Sequence, residues 1–209
     1  MGCGGERVKA VKSLVKWGAR TVALLLVLPA ALLALFGRFH GGFVFCAQAL
    51  ALAPGVLGSY LRVAFYSLTL GRCGEDNHIS VGSYFSHAQA SMGAHVGIGA
   101  YCVLGQVDLG DRTMLATGVQ ILSGSNQHVR DAQGRLSDEG RTFRRLKVGS
   151  DCWVGAASII MADLGAHVTV AAGSVVSRDI PAGATVAGNP ARLVRPATSD
   201  IGDAEKSLA

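Results

Sequence analysis

The sequence predicts a mainly β chain, a left-handed parallel β-helix of hexapeptide repeats preceded by an N-terminal hydrophobic helical region. Three observations predict it. From Met92 the chain reads in sixes, as MGAHVG, IGAYCV, a five-residue LGQVD, LGDRTM, LATGVQ and ILSGSN, with an aliphatic residue opening each line and Gly or Ala usually second. Glycine is frequent, 28 of 209 residues, while aromatics are 6%, which suits tight repeated turns better than a large aromatic core. Hydrophobic residues make up 50% and charged residues 16%, an apolar balance for a soluble domain that points to a part in or on a membrane.

The first element is residues 1–20. Arg7, Lys9, Lys12, Lys16 and Arg20 stand against the single acid Glu6, with Val8, Val11, Val15 and Trp17 among them at roughly helical spacing, so a basic amphipathic helix at a membrane surface is expected. The start MGCGGE places Glu6 where an N-myristoylation signal needs Ser or Thr. Residues 21–58 form the second element, a hydrophobic hairpin. Thr21 to Gly37 carries no charge and as a helix would run about 25 Å, slightly short of a bilayer core of about 30 Å. Phe43 to Gly58 is again uncharged, and the two segments pair around Arg38-Phe39-His40, spanning the membrane or dipping and returning. The basic cluster ahead of them places the N-terminus in the cytoplasm, and an even number of crossings returns the rest there, giving an inner-membrane protein with a cytoplasmic catalytic domain. A signal peptide is the competing reading, and the second apolar segment argues against it. Residues 59–77 form a linking amphipathic helix, with Leu61, Ala64, Phe65 and Leu68 on one face and Arg62 on another. It lies along the membrane, caps the solenoid, or does both.

The repeat domain is residues 78–195. Up to Ala90 the pattern is irregular, with only Val81-Gly82 resembling a repeat start. After Ile121 the repeats break off at His128 for a basic loop, 129–147, holding Arg130, Arg135, Arg141, Arg144, Arg145 and Lys147. They resume as VGSDCW, VGAASI, a shortened IMAD, LGAHVT, VAAGSV, VSRDIP, AGATVA and GNPARLVR, and residues 196–209 are a small, polar, flexible tail. A six-residue period gives three flat faces per coil. Each opening aliphatic residue points inward onto its equivalent in the next coil, and a small residue such as Val96, Thr113, Val119, Ser125, Ser158 or Ser174 fits the corner. At Ile160 to Leu164 the hexad is two residues short, so the coil is distorted there or the register slips.

Five scattered cysteines, Cys3, Cys46, Cys73, Cys102 and Cys152, form no metal-ligand spacing, and Cys102 and Cys152 fall at small buried repeat positions. They read as reduced core thiols. The net charge of +5 does not indicate nucleic acid, because the basic residues are not interleaved with aromatics. No metal is expected; a zinc-dependent prism would need three converging histidines, and His87, His95 and His128 lack the spacing and accompanying acids.

The ordered set of ILSGSNQH, a loop, VGSDCWVG, VVSRDIP and GNPARLVR, from Val81 to Arg195, resembles the hexapeptide-repeat acetyltransferases, which include galactoside, maltose, serine and xenobiotic O-acetyltransferases. The N-terminal hydrophobic region makes the chain more similar to the membrane-associated type. The resemblance implies an acetyl-CoA-dependent O-acetyltransferase, a homotrimer with sites between prisms, and His128 as general base. It places coenzyme A contacts at Ala156 and Ala172 for the pantetheine, at Ser177 and Arg178, and at Arg192 and Arg195 near the nucleotide phosphates. The acceptor-binding asparagine and aspartates of the galactoside and maltose enzymes have no counterpart in LGQVDLGD. A sugar or lipid-linked saccharide hydroxyl in cell-surface glycan synthesis is the expected acceptor; a xenobiotic or serine O-acetyltransferase, or an inactive β-helix membrane scaffold, are the alternatives.

The chemistry suits these residues. Transfer from a thioester to a hydroxyl needs a base for the hydroxyl proton, and imidazole serves near neutral pH. It also needs a donor to the developing oxyanion, for which the backbone N–H of Gly155 or Ala156 is available in sequence. The basic loop has two readings, contact with an anionic acceptor or with anionic lipid.

Overall fold

The computed structural model describes residues 3–123, 129–130, 133–137 and 143–196. It is a three-sided β-helix whose first coil is closed by three helices: α1 (Cys3–Leu33), α2 (His40–Ala51) and α3 (Gly55–Thr69). The strands are two to four residues long, and those of the coils form three sheets with parallel coil-to-coil pairing. Face A begins at Arg72–Cys73, face B at His78–Ile79 and face C at Tyr84–Phe85. Face B is the longest, and its last strand, Arg192–Arg195, turns back antiparallel on Thr185–Ala187.

The inward column is the one the hexads imply. Met92, Leu109, Val148 and Leu164 fill it from face A; Ile98, Leu115, Val154 and Val170 from face B; Leu104, Ile121, Ile160 and Val176 from face C. Each is buried, and each backbone N–H beside it donates to the following coil, as Gly99 to Leu115 at 2.7 Å and Gly155 to Val170 at 2.8 Å. The corners are filled by Val96, Thr113, Val119, Ser158 and Ser174, all buried; Thr113 and Ser158 also donate to carbonyls of the next coil, Gly149 and Ala171. Ser125 lies outside the described residues. Cys102 and Cys152 occupy equivalent corners as free buried thiols and donate to Ala116 and Gly165. Burial pushes both thiols up from their ordinary pKa, which leaves them poor nucleophiles.

Irregularity in coil length is confined to one corner. The steps from face A to B and from B to C are six residues throughout, whereas Ser91 stands over Arg72 at a spacing of 19, Asp108 over Ser91 at 17, and Thr185 over Thr169 at 16. The differences fall where face C passes to face A, and the basic loop leaves from that corner too. Register is kept across the shortened step, since Leu164 bridges both Val148 and Ile180. The same bridge corrects the reading that follows Val176. Ile180, not Ala182, is the next inward position, because this step is shortened to four residues like the one before it.

The sequence also understates the start of the solenoid. A full coil precedes Met92, with Ile79 and Phe85 inward at 1% and 0% exposure, and Val81 is not an inward position. Above that coil lies α3, whose buried face is Ser59, Arg62, Phe65, Tyr66 and Thr69. The edge of a first coil has no earlier coil to pair with, and these side chains take its place. Ile79 N–H donates to Ser59 Oγ at 3.1 Å, and Phe85 N–H donates to the Tyr66 hydroxyl at 3.0 Å. Arg62 donates to the Ile79 carbonyl from Nε and Nη2. Tyr66 meets Phe85 edge-on at 5.0 Å, so the helical and solenoid cores are continuous.

The expected basic segment and apolar segment are one helix, α1. Among the described residues no helix is long and apolar enough to cross a membrane. The second apolar segment is not one helix either. It divides at Pro54, which has no N–H to continue α2 and stands at the start of α3. After α1 the chain reverses through Leu35, Phe36 and Gly37, all in the left-handed region at φ 45°, 49° and 87°. Gly37 is required there, because a Cβ would come 2.3 Å from the Thr69 carbonyl oxygen. Next to it His40 packs its ring 5.4 Å from His87 of the first coil.

Two consequences are measurable. Arg62→Leu should lower the unfolding free energy by about 3 kcal/mol or more in urea, because buried carbonyls lose a charged donor; a loss within about 0.5 kcal/mol would show that the guanidinium does not hold the cap. His87 faces His40, Ser86 and Phe143, and burial, with His40 second, holds its imidazole below the ordinary pKa of 6.5. A lowered folded-state pKa means that the unfolded chain binds the proton first. The contribution is complete above 6.5 and declines as pH falls through 6.5 toward the folded value. Thermal unfolding of His87→Asn should lose that part of the acid slope.

Candidate active site

The corner from face C to face A gives rise to the loop that the sequence marks out. Its neck is built by two hydrogen bonds: Arg144 N–H donates to the Ser123 carbonyl at 2.9 Å, and Gln106 N–H donates to Ser123 Oγ at 2.8 Å. His128 lies beyond this neck, outside the described residues, as does Arg141. Of the loop, Val129–Arg130 and Leu136–Ser137 pair as a short antiparallel ribbon.

Several of the loop's basic residues have partners within the chain. Arg144 contacts Asp163 at 2.6 Å and Asp179 at 3.4 Å, and Arg145 contacts Asp108 at 2.5 Å. These pairs are half exposed and worth little singly. The carboxylates do a second task. Asp163 Oδ1 accepts from Lys147 N–H and Asp179 Oδ1 from Asp163 N–H, both at 2.9 Å, which continues the ladder where four residues leave little room for a strand. The charge run therefore serves, in Arg144 and Arg145, to fasten the loop to its corner. The signal in the sequence was the spacing of Asp163 and Asp179, equal to the spacing of the short coils.

The other corner of face C carries the pantetheine candidates. Ala156 and Ala172 are exposed and lie on adjacent coils, and the coils touch so closely here that a Cβ on Gly155 would sit 2.4 Å from Ala172 N. Gly155 N–H is taken by the Val170 carbonyl, which removes it as an oxyanion donor. The Ala156 and Ala172 N–H groups have no acceptor among the described residues. Of the two donors considered from sequence, Ala156 alone is available.

The arginines group less simply. Ala191 N–H donates to the Val175 carbonyl at 2.8 Å, which sets the start of the Arg192–Arg195 strand beside the last strand of face C. Arg192 is paired in register with Ala187 on the coil above Ala171 and so ends the alanine corner. Ser177 and Arg178 follow Val176 at the opposite corner, both exposed. Arg195 stands opposite Thr185, at the far end of the final strand. None of the three arginines has a carboxylate partner among the described residues; Arg192 donates only to its neighbour, the Ala191 carbonyl. They are thus cations open to an anionic ligand.

The remaining histidines stand elsewhere. His95 and His167 occupy left-handed turn positions at the corner from face A to face B, and His87 lies at the corner from face C to face A. Among the described residues no group of three side chains is arranged to hold a metal. A cleft of about 380 Å³ opens between α1, α3 and the first coil, walled by Trp17, Leu24, Tyr60 and Val63 with Glu75 and Asp76 at its polar side. No residue singled out for the transfer chemistry lines it.

Residues 145–178 match the family model described as the hexapeptide repeat of succinyl-transferase. No curated protein matches the sequence. Among solved structures, a hexapeptide-repeat-containing acetyltransferase from Vibrio cholerae superposes with a TM-score of 0.61 at 22% identity, over 76% of this chain and 93% of that one. The structure of that acetyltransferase complexed with acetyl coenzyme A gives 0.51 at 22% identity, over 76% and 88%. A maltose O-acetyltransferase from Clostridium difficile 630 gives 0.52 at 19% identity, over 77% and 89%. The chain is a hexapeptide-repeat β-helix protein, with the fold that these acetyltransferases share.

Proposed function

We propose that the protein is an acetyl-CoA-dependent O-acetyltransferase that modifies a hydroxyl of a sugar or lipid-linked saccharide for the cell surface, working as a homotrimer at the cytoplasmic face of the inner membrane. The observation that carries this reading is the arrangement around face C. One corner offers small side chains and free N–H groups at Ala156 and Ala172 and ends at Arg192, and the opposite corner bears Arg178 and the loop containing His128. The fold shared with an acetyltransferase solved with acetyl coenzyme A supports the donor. A sugar hydroxyl is the acceptor class in the name of the maltose O-acetyltransferase. The leucines on the outer side of α1 support the membrane location.

In this reaction the acceptor oxygen attacks the thioester carbonyl carbon while His128 takes the hydroxyl proton. The oxygen of the tetrahedral intermediate accepts from Ala156 N–H. The carbon–sulfur bond then breaks, the acetyl ester leaves with the acceptor, and the imidazolium returns the proton to the coenzyme A sulfur. Ala156 and Ala172 let an extended pantetheine lie against the backbone, and Arg178, Arg192 and Arg195 meet the nucleotide phosphates.

His128→Ala should reduce kcat by about 10²- to 10⁴-fold with an unchanged unfolding midpoint; full activity in a hydroxyl-acceptor assay would remove the base. Arg178→Glu and Arg192→Glu should raise KM for acetyl-CoA about tenfold and leave KM for acetyl-pantetheine, which lacks the nucleotide, unaltered. An equal rise for both donors would place the arginines away from the phosphates.

A further inference from the structure

We infer that the N-terminal helices form a one-sided docking face for an anionic phospholipid surface, with α1 lying in the plane of the headgroups and not crossing the bilayer. This rests on the membrane association proposed above and specifies its mode.

The first ground is which side of α1 each residue takes. Ala23, Val27, Ala31 and Ala34 are turned inward at 2%, 1%, 0% and 0% exposure, while Leu25, Leu26, Leu32 and Leu33 are turned outward at 67%, 61%, 52% and 53%. A helix packing its apolar side on a protein core buries its leucines. Here the small residues bring α1 close to the underlying helices and the large ones remain for another apolar phase. Phe45 of α2 and Val56 of α3 are likewise exposed, at 66% and 68%.

The second ground is that both ends of the apolar stretch are fixed to the same end of the prism. Arg20 pairs with Asp76 in the first coil. At the other end Gly37 lies against Thr69 and Ala88, and the His40 ring packs at a tilt against His87. A spanning hairpin would carry the turn at residues 35–40 across a hydrocarbon layer of about 30 Å, away from the domain on which it rests here. With both ends held, α1 lies across the cap.

The third ground is charge. Between Glu6 and Glu75 the chain has no carboxylate, while Arg7, Lys9, Lys12, Lys16, Arg20 and Arg38 all fall in this stretch. A leucine face joined to a basic, acid-free segment suits the boundary of a bilayer rich in anionic lipid.

Flotation of the full chain with phosphatidylcholine vesicles, with and without phosphatidylglycerol, tests the surface. Strong co-flotation only with phosphatidylglycerol is expected. The double variant Leu25→Glu, Leu32→Glu should reduce it about tenfold or more while keeping the unfolding midpoint and the acetyl transfer to a soluble acceptor. The orientation is read by labelling Arg38→Cys, in a chain with Cys3→Ser and Cys73→Ser, with a membrane-impermeant maleimide. Equal labelling before and after the vesicles are permeabilised is expected. Labelling only after permeabilisation overturns the in-plane arrangement and leaves membrane association standing. Absence of flotation overturns both; if the double variant then breaks an oligomer of the wild-type chain, the face belongs to a second copy. Transfer activity, read separately, decides the acetyltransferase reading on its own.

Discussion

A buried guanidinium ties the helices to the solenoid at the centre of their contact. Arg62 is 0% exposed and has no carboxylate partner among the described residues; instead it donates to the carbonyls of Ile79, Leu50, Ala51 and Ala53 at 2.7–3.4 Å. Burying a charge is costly unless its donors are satisfied, and burial draws this pKa down. The C-terminal end of α2 supplies the compensation: its last carbonyls lack partners within the helix and carry the negative end of the helix dipole. The same cation that completes α2 also satisfies the open edge of the solenoid at Ile79. The helices are therefore the closing layer of the β-helix, and among the described residues they alone cover its first coil.

Below that layer, the prism separates what is constant from what varies. Two of the three corners keep a six-residue step, so the aliphatic columns stay in register from Ile79 to Val186. The third corner absorbs every change in length, including the loop with His128. Ladder bonds lost there are replaced by side chains, Ser123 at the neck and Asp163 and Asp179 beneath it. An insertion is tolerated at such a place because its closure cost grows slowly with length while the core columns are unaffected. The chemistry assigned to the loop and the binding assigned to the alanine corner thus border one sheet, yet arise from corners under different constraints.

The repeat columns were legible in the sequence from Met92 to Val176, because a buried aliphatic every six residues is a strong and redundant pattern. The first coil was not, since Ile79 and Phe85 are followed by Ser80 and Ser86 instead of glycine, and side chains of α3 pair with their backbone. Arg62 falls off the apolar face that the sequence marks, and its role as a charged donor to carbonyls 9 to 17 residues away leaves no local mark. The register error after Val176 has a simpler origin. The sequence marks a four-residue step at Ile160, whereas the same step ending at Ile180 is masked by a Val-Ser-Arg-Asp-Ile-Pro run that itself reads as a hexad. For the site, the small residues and arginines were legible by type and order, whereas the loss of Gly155 N–H to the ladder depends on pairing with Val170, which only the coil spacing of 16 reveals.

One set of contacts links the cap to the site corner. His40 stands at the start of α2, His87 at the corner of the first coil, and Phe143 at the returning end of the loop, with ring centroids 5.4 Å apart at each step. Each contact is worth of the order of 1 kcal/mol, enough to favour one placement of the loop's end but not to drive a large shift. Signalling along such a chain would require an element with two arrangements. The ring contacts act as positioning: the helices that close the solenoid also touch the returning end of the loop that bears His128, so the proposed membrane face and the proposed chemistry are joined through one set of packed side chains.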